Sequence, residues 1–337
     1  MKVFIIGGTG LLGCAAAKEL LSRGHEVAAM ALPPRPPGAD LPGQMALEYG
    51  DYSKLSDDEL RARLRGCGGL VFAGGIDERI EAPPPIYELF MAHNVTPLKR
   101  LLTLAKECGV RHVAVCGSYF SYFTKVRPEE EFPKWHPYVK CRMEQEEMCL
   151  SFADENFDVA ILELPYIFGA MQGRKPVWTF VVEMFRKLKP WTFFCKGGTT
   201  MVTVRQVGQA LAGAIERNRG GNCYPIGWWN LKWPEMIKIW HKHMGCPKKK
   251  VCVLPTWMFK FGLKGMRKKQ IKHGIEGGAH MVKFARLQCT DQFIGRELGS
   301  VPLGVTDDDL DAAIGESVRL SLDILDKGIE VVEMKWE

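Results

Sequence analysis

The first thirteen residues, Met1-Lys-Val-Phe-Ile-Ile-Gly-Gly-Thr-Gly-Leu-Leu-Gly13, constrain the fold more than any other stretch. Residues 3–6 are an unbroken apolar run, as in a strand buried on both faces. Gly7, Gly10 and Gly13 follow at a three-residue repeat. Residues 14–21 then read as a helix whose alanines suit close approach to a sheet. Gly24-His25 ends that helix, and residues 26–31 read as a second strand. Strand, glycine turn, helix and strand thus fit within about thirty residues, the arrangement of a mononucleotide-binding half-fold. Its logic is anion binding: glycines let the backbone approach a pyrophosphate, and the free N–H groups of the helix start face it.

The spacing is G-x-x-G-x-x-G rather than the commoner G-x-G-x-x-G. In this the chain resembles the extended short-chain dehydrogenase/reductase superfamily, the NAD(P)-dependent epimerase/dehydratase family. The resemblance implies an α/β fold, with a Rossmann-like doubly wound parallel sheet and a smaller, mainly C-terminal substrate domain. Residues 1–169 with about 200–227 would form the dinucleotide-binding domain. Residues about 170–199 with 228–337 would bind substrate.

Composition agrees with an enzyme of this kind and excludes others. With 337 residues, 46% of them hydrophobic, the chain can bury a large core. No apolar run approaches the roughly 20 residues that span a bilayer, and residues 1–6 do not read as a secretory leader. Eleven scattered cysteines without a C-x-x-C pair suit reduced thiols in a cytoplasm rather than a disulfide framework or a zinc site.

The second strand ends at Ala31, where NAD-binding relatives carry an acidic residue for the ribose hydroxyls. The next charged residue is Arg35, in a proline-rich loop. Without a carboxylate there is no repulsion of a 2′-phosphate, and an arginine can pair with one. NADP is therefore favoured, with NAD as the alternative. The resemblance also assigns Asp51, after a short third strand, to the adenine. It gives the phosphates to Gly7, Thr9, Gly10, Leu11, Leu12 and Gly13, and places Ala73, Gly74 and Gly75, after a fourth strand, beside the cofactor. Pro165 and Ile167, in Pro165-Tyr-Ile-Phe-Gly169, would flank the nicotinamide. That segment resembles the family's Arg-Pro-x-x-x-Tyr-Gly, with Leu164 and Phe168 in place of its arginine and tyrosine.

A fifth strand ends at Ser118, where the resemblance implies a hydrogen bond to the substrate oxygen; Ser121 is the fallback. His136-Pro-Tyr138-Val-Lys-Cys-Arg142 matches the family's Tyr-x-x-x-Lys with arginine for lysine. Tyr138 would exchange a proton with the substrate. A cation four residues on shares its helix face and should lower its pKa; Lys140 lies roughly 200° around the helix and cannot substitute. Asn94, in a helical run over 87–108, is either a packing amide or a structural amide behind these residues. The family's usual aspartate near Val202-Thr-Val-Arg-Gln-Val207 is absent, which favours a reductase of a small or amphipathic ketone over a sugar-nucleotide epimerase. A non-catalytic NAD(P)-sensing regulator is the reading from another class.

Beyond Gly169 the resemblance thins. The remainder is rich in tryptophan, more often core than ligand cage. His241 and His243 fall on different faces of a helix, so no metal pair is expected. Thr306-Asp-Asp-Asp309 reads as a helix N-terminus. The one unusual tract runs from Lys248 to Lys272, basic and apolar, with no acidic residue between Met236 and Ile275. It suits a membrane surface or an anionic amphiphile, but a helix with one solvated and one core-facing side is the preferred reading. No nucleic-acid motif accompanies it. A small-molecule substrate, amphipathic or anionic, is the expected partner, and a homodimer stays open.

Overall fold

The computed structural model describes residues 1–333. In chain order the strands used below are β1 (Lys2–Ile6), β2 (Glu26–Ala31), β3 (Ala46–Tyr49), β4 (Gly69–Phe72), β5 (His112–Cys116), β6 (Asp158–Glu163), β7 (Tyr166–Phe168), β8 (Gly198–Thr203), β9 (Gly221–Pro225) and β10 (Trp229–Lys232). The helices are α1 (Leu11–Ser22), α2 (Asp57–Leu64), α3 (Ile86–Asn94), α4 (Thr96–Glu107), α5 (Tyr119–Val126), α6 (Pro137–Leu150), α7 (Thr179–Lys187), α8 (Val204–Arg217), α9 (Trp233–His243), α10 (Thr256–Lys272), α11 (Met281–Gln288) and α12 (Leu310–Lys327).

Seven strands form one sheet in the order β9-β6-β5-β4-β1-β2-β3, every neighbouring pair parallel. The order reverses between β1 and β4, so the carboxyl ends of those two strands open the crevice where such sheets bind ligands. β4 is buried at every position and β6 at all but its first, which is why residues 70–72 and 159–162 read as unbroken apolar runs, with Glu163 the one buried acid at the end of β6. One core lies between the sheet and α1 with α8, around Val3, Ile5, Ala16, Leu20, Val207 and Leu211. The other face carries α2 and α4, around Phe4, Phe72, Leu60, Leu101 and Leu104.

The helical run over 87–108 is two helices. It breaks at Val95, because Pro97 suits only a first turn and lacks the N–H a continuous helix would need. At the start of α8 the sequence lacks the expected aspartate, but Asp308 from the α12 approach accepts from the Thr203 hydroxyl there. Thr203 caps α8, its side chain accepting from the Gln206 N–H (3.2 Å) while Gln206 Oε1 accepts from the Thr203 N–H (3.0 Å). A threonine–glutamine capping box therefore satisfies the helix start.

The second layer is built on β8, which pairs antiparallel with β10 and parallel with β7 and residues 291–292. Its core is aromatic: Phe168 and Tyr166 stack on Trp178, with Trp233, Trp240 and Phe185 around them. Trp191 and Trp257, in contrast, are exposed. The α12 N-cap is Asp309, which accepts from the Ala312 N–H, so residues 306–309 lead into a helix N-terminus as the sequence pattern reads. Thr306 serves the side chain of Gln209. Among the described residues all eleven cysteines are free, no group of acids, cysteines and histidines is placed to hold a metal, and no helix is long and apolar enough to cross a membrane.

Candidate functional site

The turn from β1 into α1 is held open by its glycines. Gly7 has φ +92°, and a Cβ there would lie 2.7 Å from the Ala73 carbonyl oxygen. A Cβ on Gly13 would lie 2.2 Å from the Gly7 carbonyl oxygen. Gly10 caps α1 without any side-chain hydrogen bond, and the first turn carries no acidic residue. The N–H groups of Leu11, Leu12 and Gly13 precede any intrahelical acceptor, so they and the positive end of the helix dipole are available to an anion. This is a cradle that a dinucleotide pyrophosphate fits. Ala73, Gly74 and Gly75 leave β4 beside it, with the Ala73 N–H on the Ile6 carbonyl at 3.0 Å.

A cation that sequence reasoning missed sits on the turn. Arg174 donates from Nε to the Thr9 carbonyl (3.0 Å) and from Nη2 to Thr9 Oγ1 (2.9 Å). Its loop is held by residue 332: the Val332 N–H donates to the Gly173 carbonyl (2.7 Å), and the Lys175 N–H to the Val332 carbonyl (3.2 Å). Arg35 is exposed on the proline loop, with no ion pair among the described residues. Asp51 accepts from the Ser53 N–H (3.0 Å) and faces Lys54.

Tyr138 lies in the first turn of α6, buried, and Arg142 one turn on donates from Nε to its hydroxyl oxygen at 2.9 Å. Nη1 of Arg142 donates to Gln145 Oε1 (2.6 Å) and to the Cys116 carbonyl (3.2 Å), tying α6 to the end of β5. Gln145 Nε2 then donates to the Asn94 carbonyl (2.6 Å). The Asn94 side chain grips Ile76 through both its N–H (2.8 Å) and its carbonyl (3.0 Å). The Asn94 side chain thus packs onto Ile76, and it is the Asn94 backbone carbonyl that joins the network of Gln145. Lys140 points away, its ammonium 4.0 Å from the centre of the Tyr87 ring.

Burial pushes the Tyr138 phenol up to about 12, with Arg142 opposing and Glu78 adding to the rise. This corrects the expectation that the cation would bring Tyr138 below its ordinary value: in a buried apolar setting desolvation outweighs one guanidinium. Ser118, two residues beyond Cys116, is the buried N-cap of α5 and accepts weakly from the Phe120 N–H (3.4 Å). Ser121 is buried with no partner for its hydroxyl. Ile167 lies in β7 paired with Val202, and its carbonyl is taken by the Trp178 indole (2.8 Å). Pro165 immediately precedes β7 and is buried.

Two further groups belong to this cluster. Glu78, just past the glycines of β4, is near enough to Tyr119, Tyr138 and Tyr166 for its charge to raise each phenol. Its own carboxyl rises to about 7 through burial and the neighbouring Asp77, against the pull of Arg79 and Arg142, although the residue keeps partial exposure. His136 is fully buried with neither ring nitrogen partnered, and burial lowers it to about 3, so it stays neutral. A strap from the α10–α11 connection crosses here. The Gly278 N–H donates to the Glu78 carbonyl and the Gly278 carbonyl accepts from the Tyr138 N–H, both at 3.2 Å. Sequence reasoning missed Glu78, which only the acidic pair Asp77-Glu78 at a strand exit could have marked; nothing local marked His136 or Arg174.

Comparison with known proteins adds three results. The model of the NAD dependent epimerase/dehydratase family matches residues 3–218. No curated protein matches the chain. Among solved structures, gox2253 is similar at 20% identity and TM-score 0.71, covering 96% of this chain and 98% of the other. A nucleoside-diphosphate-sugar epimerase from Pseudomonas aeruginosa has 16% identity and TM-score 0.65, covering 97% and 98%. The UDP-glucuronic acid 4-epimerase from Bacillus cereus, solved with UDP-glucuronic acid and NAD, has 13% identity and TM-score 0.67, covering 96% and 100%.

Proposed function

The chain belongs to the NAD dependent epimerase/dehydratase family, and on that premise we propose that it is an oxidoreductase moving a hydride between a nicotinamide dinucleotide and a carbonyl or secondary alcohol. The observation that carries this is the Arg142 Nε donation to the Tyr138 oxygen at 2.9 Å inside a closed network. When bound, the nicotinamide supplies or accepts the hydride; the protein positions and polarises. Tyr138 gives its proton to the substrate oxygen in reduction and takes it back in oxidation. Arg142, donating into the phenol, leaves the O–H free to point at substrate and favours the phenolate left behind. Ser118 offers a second hydrogen bond to that oxygen. Glu78, when ionised, opposes the phenolate and so keeps Tyr138 protonated for donation.

NADP is the preferred cofactor in this proposal. Ala31 places no carboxylate against a 2′-phosphate, Arg35 is free to swing onto one, and Arg174 adds positive charge at Thr9. The substrate is a ketone or alcohol of small or amphipathic type, suited to the aromatic surroundings of Tyr119, Tyr166 and Phe120. A second reading, redox-neutral epimerisation or dehydration of a sugar nucleotide, is favoured by the likeness to the Bacillus cereus epimerase solved with such a ligand. Incubation with NADPH and a ketone panel, and with NAD and UDP-sugars, separates the two. Net NADPH oxidation supports the first; sugar conversion with no net change in cofactor supports the second; neither activity overturns both. In a parallel titration NADPH binds more tightly than NADH, and Arg35→Ala reduces the gap; equal affinities in the parent remove the NADP assignment.

A further inference from the structure

A helix of 17 residues in a folded protein normally buries a face, yet in α10 only Gln270 is buried. The helix leans on α11, on residues 192–195 and on the short strand 276–277, through Phe259 against Phe194 and Gln270 on Glu81 (2.8 Å). At 100° per residue Phe259, Leu263 and Gln270 fall on that inner side. Trp257, Phe261, Lys264, Lys268 and Lys272 fall within about 80° of one another on the opposite side. Trp257 is 71% exposed and Phe261 74%. The outward face is therefore graded along its length, aromatic at the N-terminal end and cationic at the C-terminal end. Trp191 and Phe193, beside the N-terminal end, add exposed aromatic surface. This departs from the expected helix with a solvated polar face and an apolar face in the core: the bulky apolar groups point outward.

We propose that α10 is a docking helix for an anionic lipid surface. Aromatic rings entering the headgroup boundary lose their contact with water, while lysines one and two turns on meet anionic headgroups. No acidic residue occurs between Met236 and Ile275 to oppose this. A second copy meeting the same face would bring two faces of like net positive charge together. A nucleic acid would neutralise the lysines but give the exposed side chains of Met258, Phe261 and Ile271 no apolar partner.

The test is co-sedimentation of the full chain with vesicles of equal parts phosphatidylcholine and phosphatidylserine, and with phosphatidylcholine alone. Binding is expected to the anionic vesicles only and to weaken as salt rises. Replacing Lys264, Lys268 and Lys272 together by Gln should weaken partitioning on the order of 100-fold. Trp257→Ala with Phe261→Ala should also weaken it while leaving the salt dependence in place. A blue shift of emission on binding that disappears in Trp257→Phe places the ring in the bilayer boundary. All these positions are exposed, so unchanged thermal unfolding verifies that the variants are folded. The proposal is overturned by equal or absent binding to both vesicle types, by RNA or DNA binding with the same lysine dependence in place of vesicle binding, or by a lipid-free dimer that buries Trp257.

Discussion

Arg142 and Tyr138 are one unit, and their variants should show it. Tyr138→Phe is expected to lower kcat/KM on the order of 10²-fold or more, the usual loss for a positioned acid/base. Arg142→Lys restores a cation and should retain activity, although the ammonium cannot serve Tyr138, Gln145 and the Cys116 carbonyl together as the guanidinium fork does. Arg142→Met leaves Gln145 Oε1 and the Cys116 carbonyl without their donor, so it should cost stability as well, about 1–3 kcal/mol per orphaned group. Because the Tyr138 phenol is raised to about 12, the rate of alcohol oxidation should still be rising above pH 10. The folded phenol holds its proton more tightly than the unfolded one, so the stability from this group is complete below pH 10 and lost between about 10 and 12. An oxidation rate that levels below pH 9 would show that Tyr138 does not carry the profile. Glu78 gives a second window. Its carboxyl is raised to about 7, so its contribution to stability is present below about 4.5 and fades as pH rises through 7. Glu163, also raised to about 7 by burial and by Glu146, titrates in the same range. Urea unfolding of Glu78→Gln against the parent across pH 4.5–7 isolates the first; identical pH slopes in the two proteins would mean that Glu78 is not perturbed.

At the scale of elements, what the sequence reveals depends on how local the cause is. β1, the glycine turn and α1 are legible because residues 3–22 contain both the apolar run and the groups that terminate it. The α6 start was legible through Pro137. The break between α3 and α4 needed Pro97 to be weighed against a strong apolar period, and the period hid it. Tyr138 and Arg142 were legible as spacing, but their pKa balance was not. It depends on burial by Phe90 and other residues distant in sequence, which no spacing records. The outward face of α10 was half legible: its composition was plain, and its orientation was set by a few inward contacts such as Phe259 on Phe194.

At the scale of the whole molecule, two sheets meet at the site. Ser317 of α12 donates to the Gly169 carbonyl (2.8 Å) and accepts from its N–H (3.0 Å), fixing the end of β7 at the start of the parallel sheet's last crossover. Trp178 stacks on Tyr166 and Phe168 from the second layer. These pairings join residues 10 to about 150 positions apart, so the second layer could be seen in sequence only as an excess of tryptophan. The parallel sheet, in contrast, repeats one local unit and was readable throughout.

The loop that carries Arg174 has a consequence for timing. It is closed by Val332, whose N–H bonds the Gly173 carbonyl at 2.7 Å, so a residue near the far end of the chain helps hold a cation against the first glycine turn. A cofactor seated on that turn would leave only as fast as this clasp yields, making the clasp a governor of residence time rather than of encounter. Val332→Pro removes the N–H and one net hydrogen bond of about 1 kcal/mol. Stopped-flow displacement should then show cofactor leaving on the order of fivefold faster, with its arrival rate unchanged. Equal departure rates in the two proteins would mean that the loop opens independently of its clasp.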